Sequence, residues 1–198
     1  MENQAFADLI LHGREERNLE YKGDINWDDG QIRAKLTKTI LGMSNIRDGG
    51  TIVIGVQEKN EIFEPIGISD TNFETFKQDD ISSFVNEYAD PFVEVSLNRV
   101  ELKDKKYVVI QIEEFSELPV ICKKDGAQGL FRGEIYTRPR RKNETVKVPS
   151  QVEMREIVDM AVEKSNLLLS KRLHKSGIEV NTTQENSIVS FDKQLENL

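Results

Sequence analysis

The chain has 198 residues, 37% hydrophobic and 31% charged: enough for one sizeable core and too few for two full domains, while a net charge of −8 argues against a general nucleic-acid coat protein. No apolar run approaches the length of a membrane span, and the acidic start "MENQAFADLILHGREE" has no basic segment or small-residue cleavage site, so a cytoplasmic protein with no membrane partner is expected. One cysteine (Cys122) and two histidines (His12, His174) exclude a disulfide framework and a closed Cys/His zinc site, leaving the 35 acids as the source of any metal ligands.

Residues 3–11 predict a short amphipathic helix with Phe6, Leu9 and Ile10 on one side. "LEYKG" follows as a strand. Alternation sets Leu19 and Tyr21 on one face and Glu20 and Lys22 on the other, with Glu15 arriving from the preceding turn. These charges are either a solvated ion pair or a site. After a polar loop, "DINWDDG", residues 31–45 place Ile32, Leu36, Ile40 and Met43 at helical spacing, and "RDGG" stops the helix. "TIVIGV" is a β-branched run expected to be buried on both faces, and "IFEPIGI" returns as a hairpin strand.

"TNFE" is a capping-box pattern, Thr71 with Glu74, predicting a helix to about Tyr88 that carries Phe73, Phe76, Ile81, Phe84 and Val85. Three strands follow, "FVEVSLNRVEL", "KYVVIQIEEF" and "PVICKK", the first two joined through "KDKK" as an antiparallel pair. "GEIYTRP" adds a short strand. "SQVE", with Ser150 and Glu153, opens a last helix expected to pack Met154, Ile157, Val158 and Ala161. The domain spans 1–174. From Lys175 the polar, aperiodic 175–198 segment reads as a tail, disordered or docking on a partner. The order predicts a mixed α/β (α+β) domain with a largely antiparallel sheet flanked by helices.

Between residues 120 and 147, eight bases (Lys123, Lys124, Arg132, Arg138, Arg140, Arg141, Lys142, Lys147) face three acids (Asp125, Glu134, Glu144), a local net of +5 on a body of −13. Such a run is a polyanion-binding surface or a solvated loop. The glycines of "DGGTIVIG" have no lysine in P-loop position, and two histidines support no Ser/His/Asp arrangement. Carboxylates remain. Glu15 and Glu20 flank the first strand and Glu58 lies just past the buried one. If the strands are neighbours, the three could share a divalent ion beside Lys22, a set suited to metal-assisted phosphodiester cleavage.

"EERNLEYK", then "LTKTILGMSNIRDGGTIVIGVQE", then "GEIYTRPRRKNETVKVPS" before a helix resemble the Schlafen AlbA-type domain family over roughly residues 10–165. The family has also been filed as a divergent AAA or DNA-binding domain. In its nuclease members, two glutamates of the first block and an acid after the "GV" strand hold the metal of an active site for structured RNA. By motif position these are Glu15, Glu20 and Glu58, the last usually Asp. The zinc site of the animal proteins has no counterpart here.

The resemblance implies a Schlafen-like single lobe acting as an Mg²⁺- or Mn²⁺-dependent endoribonuclease on structured, tRNA-like RNA, with Glu15, Glu20 and Glu58 on the metal and Lys22 at the scissile phosphate. The alternative is a non-catalytic DNA- or RNA-binding regulatory module using Lys123, Lys124, Arg138, Arg140, Arg141, Lys142 and Lys147, with Arg138 on the working face. ATP binding is a distant third. Because the Schlafen core has two lobes and this chain has residues for one, a homodimer is expected, with Leu167, Leu168 and Leu169 as interface material.

Overall fold

The computed structural model describes residues 2–176. The chain opens with helix α1 (Glu2–Leu11), strand β1 (Leu19–Lys22), helix α2 (Gly30–Ser44) and strand β2 (Gly50–Ile54). The hairpin β3 (Val56–Lys59) and β4 (Ile62–Pro65) follows, then helices α3 (Asp70–Phe73) and α4 (Gln78–Asn86). Next come β5 (Ala89–Asp90), β6 (Val95–Leu102), β7 (Lys105–Ile112), β8 (Ile121–Cys122), β9 (Tyr136–Thr137), β10 (Val146–Lys147) and helix α5 (Gln151–Lys175).

The main sheet has the order β1-β2-β7-β6, as expected largely antiparallel, with β1 and β2 the one parallel pair. Parallel neighbours need a crossover, which α2 supplies. The β-branched runs of β2 and β7 bury both faces. Ile52, Ile54, Val108, Ile110 and Ile112 join the core under α2, α4 and α5, whereas Val53, Tyr107 and Val109 meet Phe6 and Ile10 of α1. The edge strand β1 sends Leu19 and Tyr21 into the α1 core and Glu20 to the other side.

Asp29 caps α2, its carboxylate accepting from the Gln31 and Ile32 amides. The "RDGG" stop is steric: Gly49 has φ +65°, and a Cβ there would lie 1.9 Å from the Ile112 carbonyl oxygen. The "KDKK" turn is a two-residue hairpin loop with Lys103 and Asp104 both at positive φ.

Four expectations are corrected. The helix from Thr71 is two helices, and Thr71 lies inside the short α3 after Ser69 at the cap position. The break has local causes: the Thr75 hydroxyl donates to Asn72 O and accepts from the Trp27 amide, while Arg99 bonds the Phe73 and Phe76 carbonyls. Ser150 does cap α5, accepting from the Val152 amide, but Ile157 and Met160 are the buried pair, and Met154 and Val158 are exposed. "PVICKK" yields only the two residues of β8. Trp27, in the expected polar loop, is a core residue set edge-on to Phe84.

The chain divides into a body through Ala161 and a unit from Val162, whose described part is the end of α5. The expected tail lies, from Gly177 on, outside the described residues. No helix among the described residues is long and apolar enough to cross a membrane.

Candidate nucleic-acid interface

The alternation read in "LEYK" holds: Glu20 and Lys22 share the face of β1 turned toward α2. Glu15 comes back from the preceding turn to cover the strand's free edge, its Oε1 accepting from the Tyr21 amide at 3.0 Å. Glu20 is buried between two cations. Lys22 Nζ lies 2.5 Å from its Oε1, and the Arg138 guanidinium bonds its Oε2 from below. Burial alone would raise the Glu20 carboxyl above the ordinary carboxylate range, but Lys22 and Arg138 outweigh it and hold the group lowered.

Arg138 is wholly buried, against the expectation that it lies on a working face. Its position follows from the short strand β9, which α2 presses into the body. Asn45, at the end of α2, is fully buried. Its amide donates to the Val120 and Tyr136 carbonyls and its Oδ1 accepts from the Val120 amide. The segment after β9 then straps across the first block. Arg138 donates to the Asn143 carbonyl, Asn143 to the Glu15 carbonyl, and Arg17 donates to Arg138 O at 2.5 Å and to the two Glu156 carboxylate oxygens at 2.7 and 3.1 Å. Gly42 permits the strap's close approach, since a Cβ there would lie 2.5 Å from the Thr145 methyl.

Strand, helix and strap enclose an open cavity of about 350 Å³ lined by Glu15, Glu20, Lys22, Lys35, Lys38, Thr39, Gln128, Asn143, Glu144 and Thr145. Lys35 and Lys38, one turn apart on α2, form no ion pair among the described residues. Thr145 Oγ1 has no hydrogen-bond partner among them either. Sequence reasoning missed Lys35, Lys38, Asn45 and Asn143. The signal for the lysines was their three-residue spacing, off the apolar stripe of the helix expected over 31–45.

Glu58 stands elsewhere. Ile52 and Ile54 face the α2 core, yet Val56 faces the α1 core, because Gly55 (φ +104°) reverses the alternation between β2 and β3. Glu58 shares the parity of Val56 and lies exposed opposite Phe63, whose ring packs on Tyr21 on the α1 side. The expected three-acid set is therefore not gathered, and no group of three His, Cys, Asp or Glu among the described residues could hold a metal ion. With both Glu20 oxygens engaged by cations, these residues do not fit a resident divalent ion.

The rest of the basic run is dispersed. Arg140 lies 3.5 Å from Glu156, Lys142 pairs with Glu144, Lys147 with Glu134, and Lys124 with Glu87 while stacking on Tyr88. Lys123 and Arg141 are exposed.

The chain is 28% identical over 163 residues to an uncharacterized ATP-binding protein of Ureaplasma parvum serovar 3, covering 75% of this chain and 43% of that protein. It thus spans under half the length of that curated relative. Among solved structures it is similar to the DIP2311 protein of Corynebacterium diphtheriae (14% identity, TM-score 0.48, 78% of this chain and 28% of that one). The N-terminal domain of a RecG-related protein from Nitrosomonas europaea is also similar (20% identity, TM-score 0.45, 63% of this chain and 85% of that one). The family model described as Schlafen, AlbA_2 matches residues 15–147, the span from Glu15 through the strap to Lys147, and the chain belongs to that family.

Proposed function

We propose that this chain binds nucleic acid, taking backbone phosphates at Lys35 and Lys38. The observation that carries the reading is the pair Lys35 and Lys38, free of ion pairs and one turn apart on the wall of a cavity lined also by Asn143 and Thr145. Lysines free of carboxylates release counterions from a phosphate backbone, whereas ion-paired ones must first give up a partner. The family supports a nucleic-acid role, and the relative named as ATP-binding supports a phosphate ligand, although no P-loop is present. RNA and DNA both offer this chemistry.

The test is fluorescence anisotropy with labelled tRNA and a DNA duplex. Lys35→Ala with Lys38→Ala should weaken both by on the order of tenfold at moderate salt. Unchanged affinity would reject the site.

A second reading, cleavage of structured RNA, is favoured by one observation: Glu15, Glu20 and Lys22 open on the same cavity. Incubation of tRNA with Mn²⁺, with and without chelator, tests it. Cleavage that persists in Glu20→Ala would remove this site from the reaction.

A further inference from the structure

Beside the cavity, the loop 126–133 holds one aromatic side chain outward on a stiff support. Leu130 is fully buried, while Phe131 next to it is 48% exposed. The loop is pinned from within: the Tyr136 hydroxyl donates to the Gly129 carbonyl at 2.6 Å and accepts from the Phe131 amide at 2.8 Å. The Gly126 amide donates to Leu130 O, and the Arg132 amide to Asp125. Gln128, from the same loop, lines the cavity and bonds Gln31 of α2.

Single exposed apolar residues need no explanation. Phe131 differs in its neighbours. Lys147 Nζ sits 4.4 Å from its ring centroid, held there by Glu134 at 2.7 Å. The point where a Gly129 Cβ would stand is 3.5 Å from Lys38 Nζ and 3.8 Å from Phe131 Cε2, so ammonium and ring edge are within about 7 Å. An aromatic platform beside an unpaired lysine matches the two ends of a nucleotide, a flat base and its phosphate.

We infer that Phe131 stacks on an unpaired base of a strand whose phosphate is held by Lys38, which makes the preferred ligand single-stranded, or a loop or end of a folded RNA. The inference rests on the binding reading above and narrows its ligand. A duplex hides its base faces, so stacking needs an unpaired nucleotide. Phosphates alone have no use for the ring.

The experiment titrates the full chain with a twelve-residue oligothymidylate, an abasic oligonucleotide of the same length and inorganic polyphosphate. Phe131→Ala should lose on the order of tenfold affinity for oligothymidylate and keep its affinity for polyphosphate, which also shows that the variant is folded. The wild type should bind the abasic strand no better than Phe131→Ala binds oligothymidylate. In Phe131→Trp, oligothymidylate should quench the new indole, because the native Trp27 is buried. Equal loss of oligothymidylate and polyphosphate in Phe131→Ala, or no loss, would overturn the stacking role and leave the lysine site standing. A wild type that binds none of the three probes would overturn both.

Discussion

Arg138 and Glu20, 118 residues apart, form a buried ion pair that ties the strap to the first strand. Removing one partner of such a pair leaves an uncompensated buried charge, at a cost of about 3–5 kcal/mol. Arg138→Ala should therefore destabilise the chain by about that amount in urea unfolding. The double variant Glu20→Gln, Arg138→Met should recover much of it. Equal instability of the two would mean that Arg138 matters through packing alone.

The pH dependence follows from the lowered Glu20 carboxyl, held down by Lys22 and Arg138 against its burial. A carboxylate depressed in the folded state contributes stability that is fully present above its unfolded value, near 4.5, and is lost as pH falls through the folded value. The stability gap between wild type and Glu20→Gln should be widest near neutrality and shrink below about pH 4.5. The other lowered acids, Glu16, Glu87, Glu153 and Glu156, are common to both chains and cancel in this difference. A gap that does not change with pH would contradict the assignment.

Much of this arrangement was legible in sequence. Period-two alternation placed Glu20 and Lys22 together because β1 buries Leu19 and Tyr21 on its other face. The continuous run of β2 and the stop at "RDGG" were equally readable, since burial and steric exclusion act on local residue types. Long-range pairing was not. Nothing local distinguishes Arg138, sunk under Glu20, from Arg140 two residues on and exposed. The displacement of Glu58 hinges on one dihedral at Gly55, which glycine permits without announcing. The helix break after α3 depended on Arg99, a residue from another element.

Gly49 is the tightest point of the α2–β2 connection. A side chain there meets positive φ and the Ile112 carbonyl together. Gly49→Ala should cost about 2–4 kcal/mol, read as a lowered unfolding midpoint with an unchanged urea slope. A loss below about 0.5 kcal/mol would show that the turn can yield.

The dimer proposal rests on α5, where Leu167 and Leu169 are 61% and 53% exposed. Light scattering at micromolar concentration should give twice the 22.7 kDa chain mass, and Leu167→Glu with Leu169→Glu should return it to the monomer value. A wild-type monomer, with and without nucleic acid, would end the proposal.

On the proposed reading, phosphates are taken in the cavity by Lys35 and Lys38, not along the exposed part of the basic run. The slope of log affinity against log salt counts the phosphates neutralised. It should be measured for tRNA with the wild type, with Lys35→Ala/Lys38→Ala, and with Arg140→Ala/Arg141→Ala. The slope should be shallower by about 2 for the lysine pair and little changed for the arginine pair. A slope unchanged by the lysine pair, with the loss falling on Arg140 and Arg141, would contradict that reading.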